Sequence, residues 1–121
     1  MANTFKTVTF AAEPASAGTA YKMYTCPSST TTVVLGLVLA NIHTTAVTAE
    51  VELVSDTSNR GGNNDVNNTT SFLVKDVTIP TGSSLEILSG SKVVMEATDE
   101  IKIDCSVADK LSGTLSIMEI S

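Results

Sequence analysis

The sequence of 121 residues has no tryptophan, a single histidine and only two cysteines. Aromatic residues make up 4% and charged residues 17% of the chain, and 7 basic residues against 13 acidic ones leave a net charge of −6. That charge argues against a basic nucleic-acid surface. The longest apolar run falls well short of the ~20 residues of a membrane span. From the charge and the short apolar runs we expect neither DNA binding nor membrane insertion. The first residues also lack the basic and apolar segments of a secretory signal, so we expect no secretion.

The scarcity of cysteine and histidine limits the chemistry that the chain offers. Cys26 and Cys105 match neither a metal-binding spacing nor a C-x-x-C motif, so we expect two buried free thiols in a reducing compartment. His43 stands beside Thr44 and Thr45, which is typical of a histidine in a turn. No G-x-S-x-G elbow is present, and we expect no enzyme, no catalytic residue and no cofactor.

Carboxylates suggest a metal site in one place only, the polar segment 55–70. Its start resembles a calcium loop, but Arg60 stands where a ligand is needed, and Asn67 occupies the twelfth position instead of glutamate. We therefore predict no EF-hand and no defined metal site. A weaker oxygen-ligand ion site that uses Asp56 and Asp65 is the alternative left open.

Threonine and serine, by contrast, account for about a quarter of the sequence, and valine is the commonest aliphatic residue. β-Branched residues favour strands. Val47–Val54 and Glu100–Val107 alternate between apolar and polar residues, as half-buried strands do. Thr32–Ile42 is nearly continuously apolar, which predicts a strand covered on both faces. The spacing of these strands and of the turns between them predicts an all-β protein, an antiparallel β-sandwich or jelly roll of eight or nine short strands.

The N-terminal segment stands apart from the rest of this pattern. Residues 1–18 are predicted to hold a first strand, Thr4–Phe10, and a linker, Ala11–Gly18; residues 19–121 form the sandwich domain. The first strand could act as an arm that joins a neighbour's sheet, with Phe5 and Phe10 as partner contacts. The alternative is that it is simply the first strand of its own sandwich.

The alternating strands also predict which residues form the core. We expect these to be mostly buried: Leu35, Leu37, Leu39, Val51, Leu53, Ile79, Leu85, Ile101, Ile103, Cys105, Leu115 and Ile117.

Three blocks of sequence resemble small virion structural proteins of tailed bacteriophages, especially those of cyanobacteria and marine bacteria. They are Tyr24–Leu37 (YTCPSSTTTVVLGL), Leu73–Leu85 (LVKDVTIPTGSSL) and Lys92–Ile101 (KVVMEATDEI). They occur in the order usual for that family, although Thr98 stands where the family often has glycine. The resemblance implies a β-sandwich with a structural, non-enzymatic role and assigns no catalytic residue.

From the resemblance and the composition together we expect a capsid decoration or cement protein, made in the host cytoplasm and carried on the virion. Such a protein would self-associate as a homo-oligomer and bind capsid or tail proteins of the particle. A neck, tail or fibre protein is the first alternative. A ligand-binding β-sandwich, such as a carbohydrate module, is a weaker one, because a chain without tryptophan has few aromatic platforms for a sugar.

Overall fold

A computed structural model describes residues 2–55, 68–88 and 92–121 of the chain. In these ranges the backbone forms nine strands and no helix, which confirms the all-β prediction. The strands are β1 (Asn3–Glu13), β2 (Tyr21–Thr25), β3 (Thr31–Asn41), β4 (Val47–Val54), β5 (Thr70–Ile79), β6 (Ser84–Ile87), β7 (Val93–Met95), β8 (Glu100–Cys105) and β9 (Leu111–Ile120).

The strands form two antiparallel sheets that pack face to face. Sheet I has the order β1-β9-β3-β6, and β7 also pairs with β3; sheet II has the order β2-β8-β4-β5. The pairs are nested along the chain, with β4–β5 innermost, then β3 with β6 and β7, then β2–β8, and β1–β9 outermost. One long hairpin rolled into two sheets has this nesting, and it is the topology of a jelly roll.

Alternation along the strands builds the core, as the sequence predicts. In β4, Val47, Ala49 and Val51 are buried while the residues between them are half-buried. The same period of two applies to β8 and β9, because successive side chains of a strand point to opposite faces. The buried set from the two sheets includes Val34, Leu37, Leu39, Ile79, Met95, Ile101, Ile103, Cys105, Leu111, Leu115 and Ile117.

One predicted core residue, Leu35, is wrongly assigned. Its side chain is 36% exposed, whereas Leu37 and Leu39 are fully buried. The pairing of β3 with β9 shifts register between Val34 and Gly36, so a bulge at Leu35 inverts the alternation. Val34 therefore enters the core in its place. Two further predicted core residues, Leu53 and Leu85, are half-buried at the margin of the core.

Within the single chain, the N-terminal strand belongs to its own sandwich. It is longer than predicted, since β1 continues to Glu13 and pairs with β9 through most of its length. Phe10 is only 8% exposed, and its ring lies edge-on to Tyr21 with the ring centroids 5.4 Å apart. The structure thus places Phe10 in the core instead of on the surface, and leaves Phe5 exposed. Exchange of this strand between subunits stays a prediction.

Tight turns connect the strands at positions that the sequence indicates. At the predicted Pro80–Gly82 turn, Ser83 donates its amide to the Pro80 carbonyl at 3.2 Å, and Gly82 has φ +73°. At the turn before β8, Asp99 donates its amide to the Glu96 carbonyl at 3.1 Å. Thr98 has φ +73° there, in the left-handed region where glycine is favoured and a β-branched residue is rare.

Candidate functional site

The outer face of sheet II carries charged side chains that pair with one another. Lys75 Nζ lies 2.8 Å from Glu50 Oε1, and Lys22 Nζ lies 3.3 Å from Glu100 Oε2. Lys75 also covers the exposed ring of Phe72, at 4.6 Å from its centroid. These contacts are typical of a solvated surface, and exposed pairs of this kind contribute little to binding or stability.

The outer face of sheet I is different, because an apolar row crosses four of its strands. Phe5 of β1 lies opposite Met118 of β9, Met118 lies opposite Val33 of β3, and Val33 lies opposite Val94 of β7. Phe5 is 72% exposed and Val94 is 57% exposed, so the two ends of the row are open to solvent. Directly opposite residues share a face of a sheet, and the four side chains form one continuous stripe.

Neutral side chains surround this row. Leu35 and Val38 of β3 are more than one-third exposed. Among the strand positions paired on this face in the described residues, Glu86 at the β6 edge is the single charged side chain. We call this surface the neutral face; its members are Asn3, Phe5, Thr7, Thr9, Thr31, Val33, Leu35, Val38, Ala40, Val94, Ser112, Thr114, Ser116, Met118 and Ile120.

The neutral face accounts for the apolar run in β3. The sequence predicts that this strand is covered on both faces, and in the single chain that expectation is wrong for the outer face. Thr32 and Val34 point into the core. Val33, Leu35 and Val38 point outward, and no other part of the described residues covers them. A strand of this composition normally has both faces buried. The outer face of β3 is therefore unusually apolar for a face that the rest of the described residues leaves open.

Sequence reasoning named Phe5 as a candidate partner contact, which stays a prediction, and did not name its neighbours in the row. The sequence of the last strand gave an indication, because apolar residues occupy both its inward-facing and its outward-facing positions. Leu115 and Ile117 point into the core, and Met118 and Ile120 follow on the outer face. The loss of alternation in β9 marks the outward apolar positions, but it does not show which residues of β1, β3 and β7 lie beside them.

A network of polar side chains beside the neutral face links the two sheets. The Tyr24 hydroxyl donates to Glu119 Oε2 at 2.6 Å and lies 2.8 Å from Thr32 Oγ1, while Lys6 Nζ lies 2.7 Å from Glu119 Oε1. The Lys6 bond, and then the Tyr24 bond, hold the pKa of Glu119 below its ordinary value. Burial, and then the bond to Glu119, raise the pKa of Tyr24. The network therefore combines an ionised carboxylate with a neutral phenol and joins the two sheets.

The two cysteines are buried free thiols, as the sequence predicts. Cys26 Sγ lies 3.2 Å from Thr32 Oγ1 and 3.3 Å from the Thr30 carbonyl oxygen. Burial raises the pKa of Cys26, so the protonated thiol is favoured at neutral pH. The geometry fits a core residue with a hydrogen-bonded thiol.

Two of the family-like blocks meet at Asp99. Cys26 donates its amide to the Asp99 carbonyl at 2.8 Å, and Thr98 donates to the Cys26 carbonyl at 2.9 Å. The buried Asp99 carboxylate accepts through Oδ2 from the Ser55 hydroxyl and the Glu96 amide, and its Oδ1 has no hydrogen-bond partner among the described residues. The possible ion ligands Asp56 and Asp65 lie outside the described residues.

A groove of about 200 Å³ lies on the outer side of sheet II and includes Glu50, Asp76 and Asp104 in its lining. Asp104 Oδ1 accepts the Gly18 amide at 3.1 Å, so this carboxylate already has a partner. In the described ranges, no group of three or more histidine, cysteine or acidic side chains has an arrangement that could hold a metal ion. Nor does any helix in these ranges have the length and apolarity needed to cross a membrane.

Comparisons with protein-family models, with curated proteins and with solved structures gave no match to this chain. The likeness to tailed-phage virion proteins stays a prediction that depends on the three sequence blocks. In the fold, Tyr24–Leu37 spans the end of β2 and most of β3. Leu73–Leu85 spans most of β5 and the start of β6, and Lys92–Ile101 spans β7 and the start of β8.

Proposed function

We propose that the protein is a non-enzymatic structural component of a tailed-phage virion, most specifically a decoration or cement protein on the outside of the capsid. The observation that carries this proposal is the neutral face, an uncharged and partly apolar surface on one sheet of the jelly roll. An exposed apolar patch rimmed by polar residues is typical of a protein–protein contact. The three sequence blocks support the assignment to a virion.

The chemistry of the neutral face suits adhesion. Covering Phe5, Val33, Val94 and Met118 removes apolar surface from water, which stabilises a complex by roughly 25 cal/mol per Å² before the costs of association. Threonine and serine hydroxyls around the row carry no charge, so the high cost of desolvating ions does not arise. The paired charges of sheet II lie on the opposite layer of the sandwich and take no part in this contact.

The charge of the chain favours the outside of the particle over contact with its genome. A net charge of −6 opposes binding to packaged DNA, whose phosphates are also negative. A protein on the outer shell surface needs no such contact.

A neck, tail or fibre protein of the same particle is the second candidate, since the same adhesive face serves either position. A sugar-binding module has less support from the structure. Tyr21 is half-buried against Phe10, and the Tyr24 hydroxyl is bonded to Glu119. Neither ring is placed as a flat, open platform on which a sugar stacks.

The test is addition of the purified protein to phage particles that lack it, followed by mass spectrometry and cryo-EM. Saturable binding at many symmetric positions of the shell supports the decoration role. A single ring at the vertex or along the tail supports the second candidate instead. Failure to bind any part of the particle, together with its absence from purified wild-type virions, would overturn both.

A further inference from the structure

We propose that the neutral face is a self-association surface on which a second copy of this chain docks, sheet I against sheet I. This inference rests on the proposed function, because it names the contact through which a virion protein of this kind assembles with itself. It commits to one occupant of the face, an identical chain. Three properties of the described residues carry it: charge, area and the arrangement of the apolar row.

The distribution of charge makes the neutral face the surface through which two copies of this chain repel each other least. Two chains of −6 each repel one another over most of their surfaces. Glu86 of β6, beside the neutral face, is the one charged side chain among the paired outward positions of sheet I in the described residues. When two copies meet through this face, their layers stack in the order sheet II, sheet I, sheet I, sheet II. The two charged sheets II are then about three sheet spacings, or ~30 Å, apart. This distance exceeds the Debye length of ~8 Å in physiological salt, so the repulsion between them is screened. The acidic side chains Glu50, Glu52 and Asp104 then lie outside the contact.

The area is that of a specific interface. Sheet I has three strands of about ten residues, and the short strands β6 and β7 share the fourth position. At ~3.3 Å per residue and ~4.8 Å between strands, its flat projection is ~600 Å². The accessible area of a corrugated sheet exceeds its projection, so each copy buries an area close to the ~800 Å² per partner of a standard stable interface.

The row itself is compatible with twofold symmetry. Consider a twofold axis that runs parallel to the strands, midway between the two copies and above the gap between β9 and β3. This axis places β1 of one copy over β7 of the other, and β9 of one copy over β3 of the other. Phe5 then lies opposite Val94 of the partner subunit, and Met118 lies opposite Val33 of the partner subunit. Each large side chain meets a small one, as interdigitating sheets require. An axis parallel to the strands also keeps the strand directions of the two copies aligned, as in aligned sandwiches.

Sedimentation of the purified full chain over a range of concentrations tests the inference. We expect a monomer–dimer equilibrium for the wild-type protein. The variant Val94→Asp adds a carboxylate to the row twice in a symmetric dimer, and it should weaken association by at least about tenfold. Thr78→Asp is the matched control, since it makes the same charge change at an exposed position of β5 in sheet II, and it should dimerise as the wild type does.

Salt provides a second readout that folding defects do not imitate. Association through an uncharged face between two acidic chains should hold or strengthen as salt rises, whereas an interface of ion pairs weakens. Thermal melting shows that each variant is folded, and Phe5→Ser replaces Val94→Asp if that variant does not fold. A wild-type chain that stays monomeric, or neutral-face variants that dimerise like the control, would overturn the inference.

The outcomes separate this inference from the proposed function. A dimer in solution that binds no phage particle contradicts only the virion role. A monomer that binds particles, and loses that binding in Val94→Asp, contradicts the dimer and makes the shell the occupant of the neutral face.

Discussion

Tyr24 and Glu119 are 95 residues apart in sequence, yet the Tyr24 hydroxyl donates a hydrogen bond of 2.6 Å to the Glu119 carboxylate. Tyr24 belongs to β2 in sheet II and Glu119 to β9 in sheet I, so this bond links the two layers of the sandwich. Lys6 of β1 forms an ion pair with the other carboxylate oxygen of Glu119, Oε1. A carboxylate that is only 9% exposed is thereby satisfied by a cation and a phenol.

Replacement of Tyr24 by phenylalanine should destabilise the fold. The Tyr24→Phe variant keeps the ring but leaves Glu119 Oε2 without its tyrosine donor, and such a loss costs about 1–2 kcal/mol. Urea unfolding followed by circular dichroism measures the change. Tyr21→Phe is the control, because its ring contact with Phe10 is kept, and it should cost less. Equal losses in the two variants would show that the bond to Glu119 is not the cause.

The contribution of Lys6 should depend on pH. The pKa of Glu119 is lowered in the folded state, first by Lys6, so the stabilisation is present above the unfolded pKa of glutamate and is lost as pH falls through the folded value. Lys6→Gln should therefore cost up to about 1 kcal/mol at neutral pH and nothing in strongly acid solution. Lys110→Gln is the control. It removes the same charge just before Leu111, where β9 begins, whereas Glu119 lies where β9 ends, so it should show no such pH dependence. A difference that persists at low pH would contradict the assignment.

Alanine at Gly113 should be poorly tolerated. A Cβ there would clash with the Phe10 ring, which is buried and packs edge-on against Tyr21. Overpacking of this kind typically costs about 1–3 kcal/mol. Gly36→Ala is the matched control, because no atom lies within 4 Å of its added Cβ. Thermal melting of both variants checks the prediction, and a Gly113→Ala protein as stable as Gly36→Ala would refute the described contact.

Glycine at position 98 should stabilise the protein. Thr98 is exposed and has φ +73°, a conformation that costs a non-glycine residue roughly 1–2 kcal/mol. Thr98→Gly removes this strain while the backbone bond to Cys26 stays, and the greater unfolded-state entropy of glycine offsets part of the gain. We expect a net increase of about 1 kcal/mol, seen as a melting temperature a few degrees higher. Ala97→Gly, beside it, should instead lower the melting temperature.

Local pattern was sufficient for much of the fold. The alternation in Val47–Val54 and in Glu100–Val107 placed Val51, Ile101 and Ile103 in the core, because a strand has a period of two and one face of each strand lies on the opposite sheet. The turn at 80–82 followed from the conformational preferences of proline and glycine. These features depend on residues close in sequence, so the sequence by itself determined them.

Pairing between distant segments decided the rest. The bulge at Leu35 depends on the register of β3 against β9, and the burial of Phe10 depends on Gly113, which lies opposite it in the last strand. The row from Phe5 to Val94 likewise exists only because strands from both ends of the chain lie side by side in sheet I. No local pattern specifies such registers, since they follow from how the whole hairpin rolls and packs. The candidate contact surface is therefore a product of the tertiary structure.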